Sequence, residues 1–188
     1  MWKLLFMFSG VAIAAALIAR WWFGIRVLAN EGNRPCRCDL GKWLPSPGDE
    51  ALTHRAEESA SEFGSQLRLK ALAEWRERNP KAAGSRESAL RFGLAVPPLS
   101  GIVAIMAAII AKIPVLGAIA VFLAATALAA VLGILSLAPE LQAIMHSARK
   151  LRENKSFPRR DDEEAVIQCA MAHAWKETLP PILKILHK

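Results

Sequence analysis

Cysteine and histidine are the residues of this chain whose types and spacing could do chemistry. Cys36 and Cys38 stand two apart, and Cys169 and His173 stand four apart, on one face of any helix that carries them. Three thiolates and one imidazole are a donor set that tetrahedral zinc accepts. However, C-x-C is a less usual zinc spacing than C-x-x-C, and most of the chain lies between the two pairs. Reduced, free thiols are the plainer reading. A total of 3 cysteines is odd and low, which does not suggest an oxidised scaffold. Thiol exchange is a third reading.

A second metal candidate uses His54 and Glu58, within His-Arg-Ala-Glu-Glu. The zinc-peptidase pattern H-E-x-x-H sets two histidines one helical turn apart on the metal and uses the glutamate as base. Here Arg55 stands where the base belongs, and Glu58 stands where the second histidine belongs. A guanidinium in that slot repels a metal and takes no proton from bound water. No nucleophile elbow and no phosphate-cradling glycine loop occurs. His146, His173 and His187 read as surface or packing residues. The expectation is therefore no catalytic residue and, zinc apart, no cofactor.

The elements that would position these groups are dominated by apolar segments. Residues 92–138 carry a single charge, Lys112. As one helix they would run roughly 70 Å, more than twice a hydrocarbon core of about 30 Å. The segment must fold back, and Lys112 and Pro114 mark the place. Two spans follow, 92–111 and 113–138, joined by a tight turn. Residues 4–19 are uncharged and apolar, flanked by Trp2, Trp21 and Trp22, whose indoles suit the interface. Arg20 would snorkel to the head groups. A cleaved signal peptide is the rival reading of this first segment. With 53% hydrophobic and 22% charged residues the chain is not disordered. The fold class expected is an all-α membrane protein with three transmembrane helices, an N-terminal anchor (1–23) plus a tight helical hairpin (92–138). Amphipathic cytoplasmic helices complete it.

The distribution of Lys and Arg sets the orientation. Lys3 alone precedes the first span; Arg20, Arg26, Arg34, Arg37 and Lys42 follow it. Arg78, Lys81, Arg86 and Arg91 precede the second span, and Arg149, Lys150, Arg152 and Lys155 follow the third. The reading is an inner-membrane protein of bacterial type, with its N-terminus outside and both loop 24–91 and tail 139–188 in the cytoplasm. In the loop, 30–48 reads as an irregular linker. A helix over about 49–79 follows, capped by Ser46 or Asp49, with Leu52, Ala56, Ala60, Phe63, Leu67, Ala71 and Trp75 as its stripe. In the third span Gly117, Ala120, Ala124, Ala125, Ala129 and Gly133 form a seam of small residues for close helix approach. The third span continues helically past Pro139. A last helix opens at Asp161 and Glu164, runs to about Thr178, and buries Val166, Ile167, Ala170, Met171 and Ala174.

Net charge is +7, and the basic excess favours anionic neighbours. The lipid bilayer is the first such partner, through head groups facing Arg149, Lys150, Arg152, Lys155, Arg159 and Arg160. The plain alternative is that these charges only fix topology. Nucleic acid is not expected. A membrane-protein partner or a homo-oligomer is, because an isolated loop helix would be marginal. No Asp, Glu, His or Arg lies inside the second and third spans, which argues against transport by this chain alone.

Residues 94–186 resemble the C-terminal half of the YugP-like membrane zinc metallopeptidases. The matching features are two apolar spans, then SLAPELQAIMHSARKL, then the acidic helix start DDEEAVIQCAMAHAW and a terminal apolar segment. Pro139 and Glu140 match that family's Leu-Pro-x-Glu segment, and the N-terminal anchor fits as well. The family's H-E-x-x-H would fall at His54–Glu58, where it is not intact, and no strand is visible in 30–48 before it. The resemblance implies a shortened relative without peptidase activity. The chain is expected to act as a non-catalytic scaffold, subunit or regulator; the alternative is a divergent zinc peptidase.

Overall fold

The computed structural model describes residues 2–43, 56–110 and 114–185. α1 (Trp2–Arg20) passes through a π-helical turn at Trp21–Ile25 into α2 (Arg26–Glu31). β1 (Pro35–Arg37), α3 (Leu40–Trp43) and β2 (Glu57–Ser59) follow. The strands pair antiparallel, with Cys36 opposite Glu58. Then come α4 (Ala60–Arg78), α5 (Pro80–Ile110), α6 (Val115–Leu135), α7 (Leu137–Glu153), α8 (Arg160–Thr178) and α9 (Pro181–Ile185). Three helical stretches are long and apolar enough to cross a membrane: Trp2–Glu31, Pro80–Ile110 and Val115–Glu153. The expected turn at 111–113, the caps Ser46 and Asp49, His54 and His187 lie outside the described residues.

Local chemistry explains where the helices begin and end. Ser59 Oγ accepts from Glu62 N at 3.2 Å, so α4 starts at a Ser-x-x-Glu cap rather than near residue 49. Asn79 closes α4 and caps α5: its Oδ1 accepts from Ala82 N at 3.2 Å, and Pro80 takes the first helical position, where no donor is needed. The second apolar helix therefore starts at Pro80, well before residue 92, with a polar first third. The helix of the third span breaks only at Ser136, because Pro139 has no N–H to continue the ladder. The stretch 30–48, expected to be irregular, holds β1 and α3.

The chain forms two compact units. The first comprises Met1–Arg20, Gly84–Ala138 and Glu177–Lys188. Its core joins Ile13 and Ala16 of α1, Ala127 and Ala130 of α6, and Leu179 and Leu183. The buried face of α1 is Ser9, Ile13, Ala16 and Arg20, at spacings of four, three and four. On α6, Gly117, Ala120, Ala129 and Gly133 are buried as the small-residue seam predicts, and α1 is one element packed there. Many of the other large apolar side chains of this unit are exposed. Phe8 and Ile109 are each 74% exposed.

The second unit comprises Trp21–Ala83 and Pro139–Lys176. In α4, Ala60, Phe63, Leu67, Ala71 and Trp75 of the predicted stripe are buried, whereas Ala56 is exposed and precedes the helix, and Leu52 lies outside the described residues. In α7 burial recurs at Glu140, Ile144, Ser147, Ala148 and Leu151, while Met145 is 42% exposed. α8 differs from its predicted one-sided face. Asp162, Glu163, Ala165, Val166, Ile167, Cys169, Ala170, Ala172 and Ala174 are all buried, so this helix is covered on most sides. Gly64 permits that: a Cβ there would meet Cys169 Cβ at 2.7 Å and Ala170 N at 2.8 Å. Trp43, Phe63 and Phe157 form an edge-to-face triad with centroids 5.5–5.6 Å apart.

Candidate functional site

β1 explains the C-x-C spacing. Along an extended strand alternate residues share a face, and Cys36 and Cys38 are both buried while Pro35 and Arg37 are exposed. Cys36 Sγ lies 3.9 Å from Asp162 O. Cys169 sits where α8 crosses α4 at Gly64. All three thiols are free and buried. Burial, with the Asp162 carboxylate adding to it, pushes Cys36 up to about 11; burial and Asp39 push Cys38 up to about 12. Burial, then the Cys36 sulfur, raises Cys169 to about 11. Such thiols stay protonated at neutral pH and are poor nucleophiles and poor ligands.

His173 is tied elsewhere. Its Nε2 stands 3.1 Å from both Ser61 Oγ and Ser61 O. Among the described residues no group of three or more His, Cys, Asp and Glu side chains is placed to hold a metal ion. Cys36 and Cys38 come from the stretch at β1, Cys169 from the crossing of α8 on α4, and His173 from the contact of α8 with Ser61. Of the alternative pair, His54 lies outside the described residues, and Glu58 sits on β2. One oxygen of Glu58 is buried with no hydrogen-bond partner among the described residues.

Buried arginines are the polar features that sequence reading missed. In the first unit Arg86 is 3% exposed. Its Nη1 donates to Gly133 O and Ser136 Oγ at 2.8 Å, and its Nη2 donates to Thr178 Oγ1 at 3.1 Å. It thus caps the end of α6, where a cation also meets the negative end of the helix dipole. In the second unit Arg68 Nε donates to Glu140 Oε1 at 2.7 Å, and both side chains are buried. That bond ties α4 to the start of α7. Arg20, expected to snorkel, is instead buried on the packed face of α1. Its Nε and Nη1 have no hydrogen-bond partner among the described residues. Only long-range pairing reveals these roles; in the sequence Arg86 reads as one of several flanking charges.

The basic tail is partly neutralised. Lys150 Nζ donates to Glu74 Oε2 at 2.9 Å, Arg152 pairs with Glu163, and Arg160 Nε lies 3.3 Å from Glu164 Oε1. Burial works against the charge of Glu74, yet the Lys150 hydrogen bond and ammonium, with Lys70 and Arg78, hold its carboxyl below the usual range. Arg149, Lys155 and Arg159 have exposed side chains and make no ion pair among the described residues. Comparison of the chain with protein-family models, with curated proteins and with solved structures finds no match.

Proposed function

We propose that this chain is a small integral membrane protein that acts by binding, as a scaffold, subunit or regulator, and not by catalysis. The observation that carries the reading is the outward apolar surface of the first unit. Leu4, Met7, Phe8 and Val11 of α1, Ile102, Val103, Ile105 and Ile109 of α5, and Val115 of α6 all face out. A water-soluble monomer rarely exposes a continuous apolar surface of that kind, whereas hydrocarbon covers it at no cost. The second unit supports an inner-membrane topology with the N-terminus outside. It is assembled from a segment before the hairpin and a segment after it. Two membrane crossings separate those segments, so both lie on one side, which the Lys and Arg distribution makes the cytoplasm. There the tail would meet anionic head groups, and amphipathic helices would meet a membrane-protein partner or a second copy.

The non-catalytic reading draws on the protonated thiols and on the occupied His173. A proteolysis assay of the detergent-purified chain, with and without chelator, tests it. The expected outcome is no metal-dependent cleavage of an unfolded protein substrate, and none that responds to His54→Ala. Cleavage that disappears on chelation and in His54→Ala would replace this reading with a zinc peptidase.

A further inference from the structure

We propose that the second unit binds an organic phosphate monoester in a cleft walled by Lys42, Arg152, Lys155 and Arg160. The proposal deepens the reading of the basic tail given above and rests on it. The cleft is open to solvent and offers about 510 Å³, within the size range of small-ligand sites and larger than a bare ion needs. Phe157 and Pro158 complete the lining with an apolar surface, and Glu163 supplies its one carboxylate. Lys42, Arg152 and Arg160 each lie against one carboxylate, Asp39, Glu163 and Glu164, so the positive excess at the cleft rests on Lys155. A cationic wall beside an apolar surface suits a phosphate that carries an organic body.

The cleft is built from elements fixed in place. Phe157 is 6% exposed and locked edge-to-face between Trp43 and Phe63. α3 presents Lys42, and the loop after α7 holds α3 through Asp39 N to Ser156 O at 2.9 Å and Ser156 Oγ to Lys42 O at 3.2 Å. Glu163 orients Arg152, and Asp39, 3.3 Å from Lys42 Nζ, orients that ammonium. Arg160 stands at the first position of α8.

Lys155 is the telling residue. It sits just past the end of α7 with φ 51°. Ser156 N donates to Leu151 O and Lys155 N donates to Arg152 O, the bond pair of a helix end that glycine or asparagine usually occupies. Strained non-glycine backbone concentrates where a side chain has a task. This side chain has no ion pair among the described residues and lines the cleft. Three or four charge-assisted contacts to one phosphate would give it that task.

A lipid head group and a water-soluble ester offer the same phosphate, and the test separates them. The full chain in non-ionic micelles is titrated with glycerol phosphate and, separately, with short-chain phosphatidic acid, while thermal unfolding is followed by tryptophan fluorescence. One or both should raise the midpoint, because a ligand that binds only the folded state stabilises it. A response to glycerol phosphate identifies a soluble ester; a response to phosphatidic acid alone identifies a lipid. Lys155→Asn and Arg160→Gln should weaken the response at least about tenfold, the usual weight of one charged contact, while Arg76→Gln, on an exposed position away from the cleft, leaves it unchanged. Asparagine tolerates the backbone of Lys155, so Lys155→Asn keeps the fold. The proposal is overturned if neither ester shifts the midpoint, or if the shift survives Lys155→Asn and Arg160→Gln. An equal response to phosphatidylglycerol, untouched by these variants, would leave general attraction of the tail to anionic lipid standing and remove the cleft.

Discussion

Glu140 illustrates how a single carboxylate beside an apolar span is used. It is 1% exposed and accepts from the buried Arg68 at 2.7 Å. Removing one partner of such a pair leaves the other charge in a poorly solvated place, at a cost of roughly 3–5 kcal/mol. Glu140→Ala should therefore lower the thermal midpoint sharply, measured by circular dichroism in detergent. The thiols give a second expectation at this scale. Their folded values lie near 11 to 12, above the ordinary 9.0. A raised value means that the folded state holds the proton more tightly, so the associated stability is complete below pH 9 and declines as pH rises through 11. Unfolding midpoints should fall over that window and fall less in Cys36→Ala, Cys38→Ala and Cys169→Ala combined. At neutral pH a thiol reagent should modify the native chain slowly and the unfolded chain at once.

Helices and strands show why some of this was legible and some was not. The stripe from Ala60 to Trp75 was legible because it is local and periodic, and the burial of α4 follows it. The start of α4 was not, because the Ser59 and Glu62 cap lies inside an acidic run that also reads as helix surface. β1 was missed because three residues are too short to show a period, and the alternation of Cys36 and Cys38 has another reading as metal chemistry. α8 looked one-sided because Asp162 and Glu163 read as solvent-facing. Arg34, 3.3 Å from Asp162, and Arg152 supply the distant partners that let both be buried. Gly64 lets α8 approach α4 closely. Gly64→Ala should cost about 1–3 kcal/mol, as overpacking does. Gly84→Ala, with nothing within 4 Å of the added carbon, should stabilise α5 by up to about 1 kcal/mol. Chemical denaturation of the two variants in one detergent checks the contrast.

For the molecule as a whole the deciding property is which side of the bilayer each part occupies. Cys36 and Cys38 cannot report it, since both are buried. Glu77 and Glu153 are exposed and belong to the two separate segments of the second unit. Cysteine placed at either position should resist an impermeant maleimide in intact cells and react in opened ones. Labelling of one position from outside and the other from inside would contradict the common side. Labelling of both from outside would invert the orientation.

The divided second unit also has a consequence for biogenesis. Trp21–Ala83 leaves the ribosome before 84–138, and well before Pro139–Lys176 exists. Until then Phe63 has no Phe157 and Gly64 no α8 to lie against, and the nascent segment is a target for holdases and proteases. A premature stop after Ala138 would keep the apolar helices of the first unit and leave this segment without its other half. Quality control, rather than any lost reaction, would then decide the fate of the shortened product.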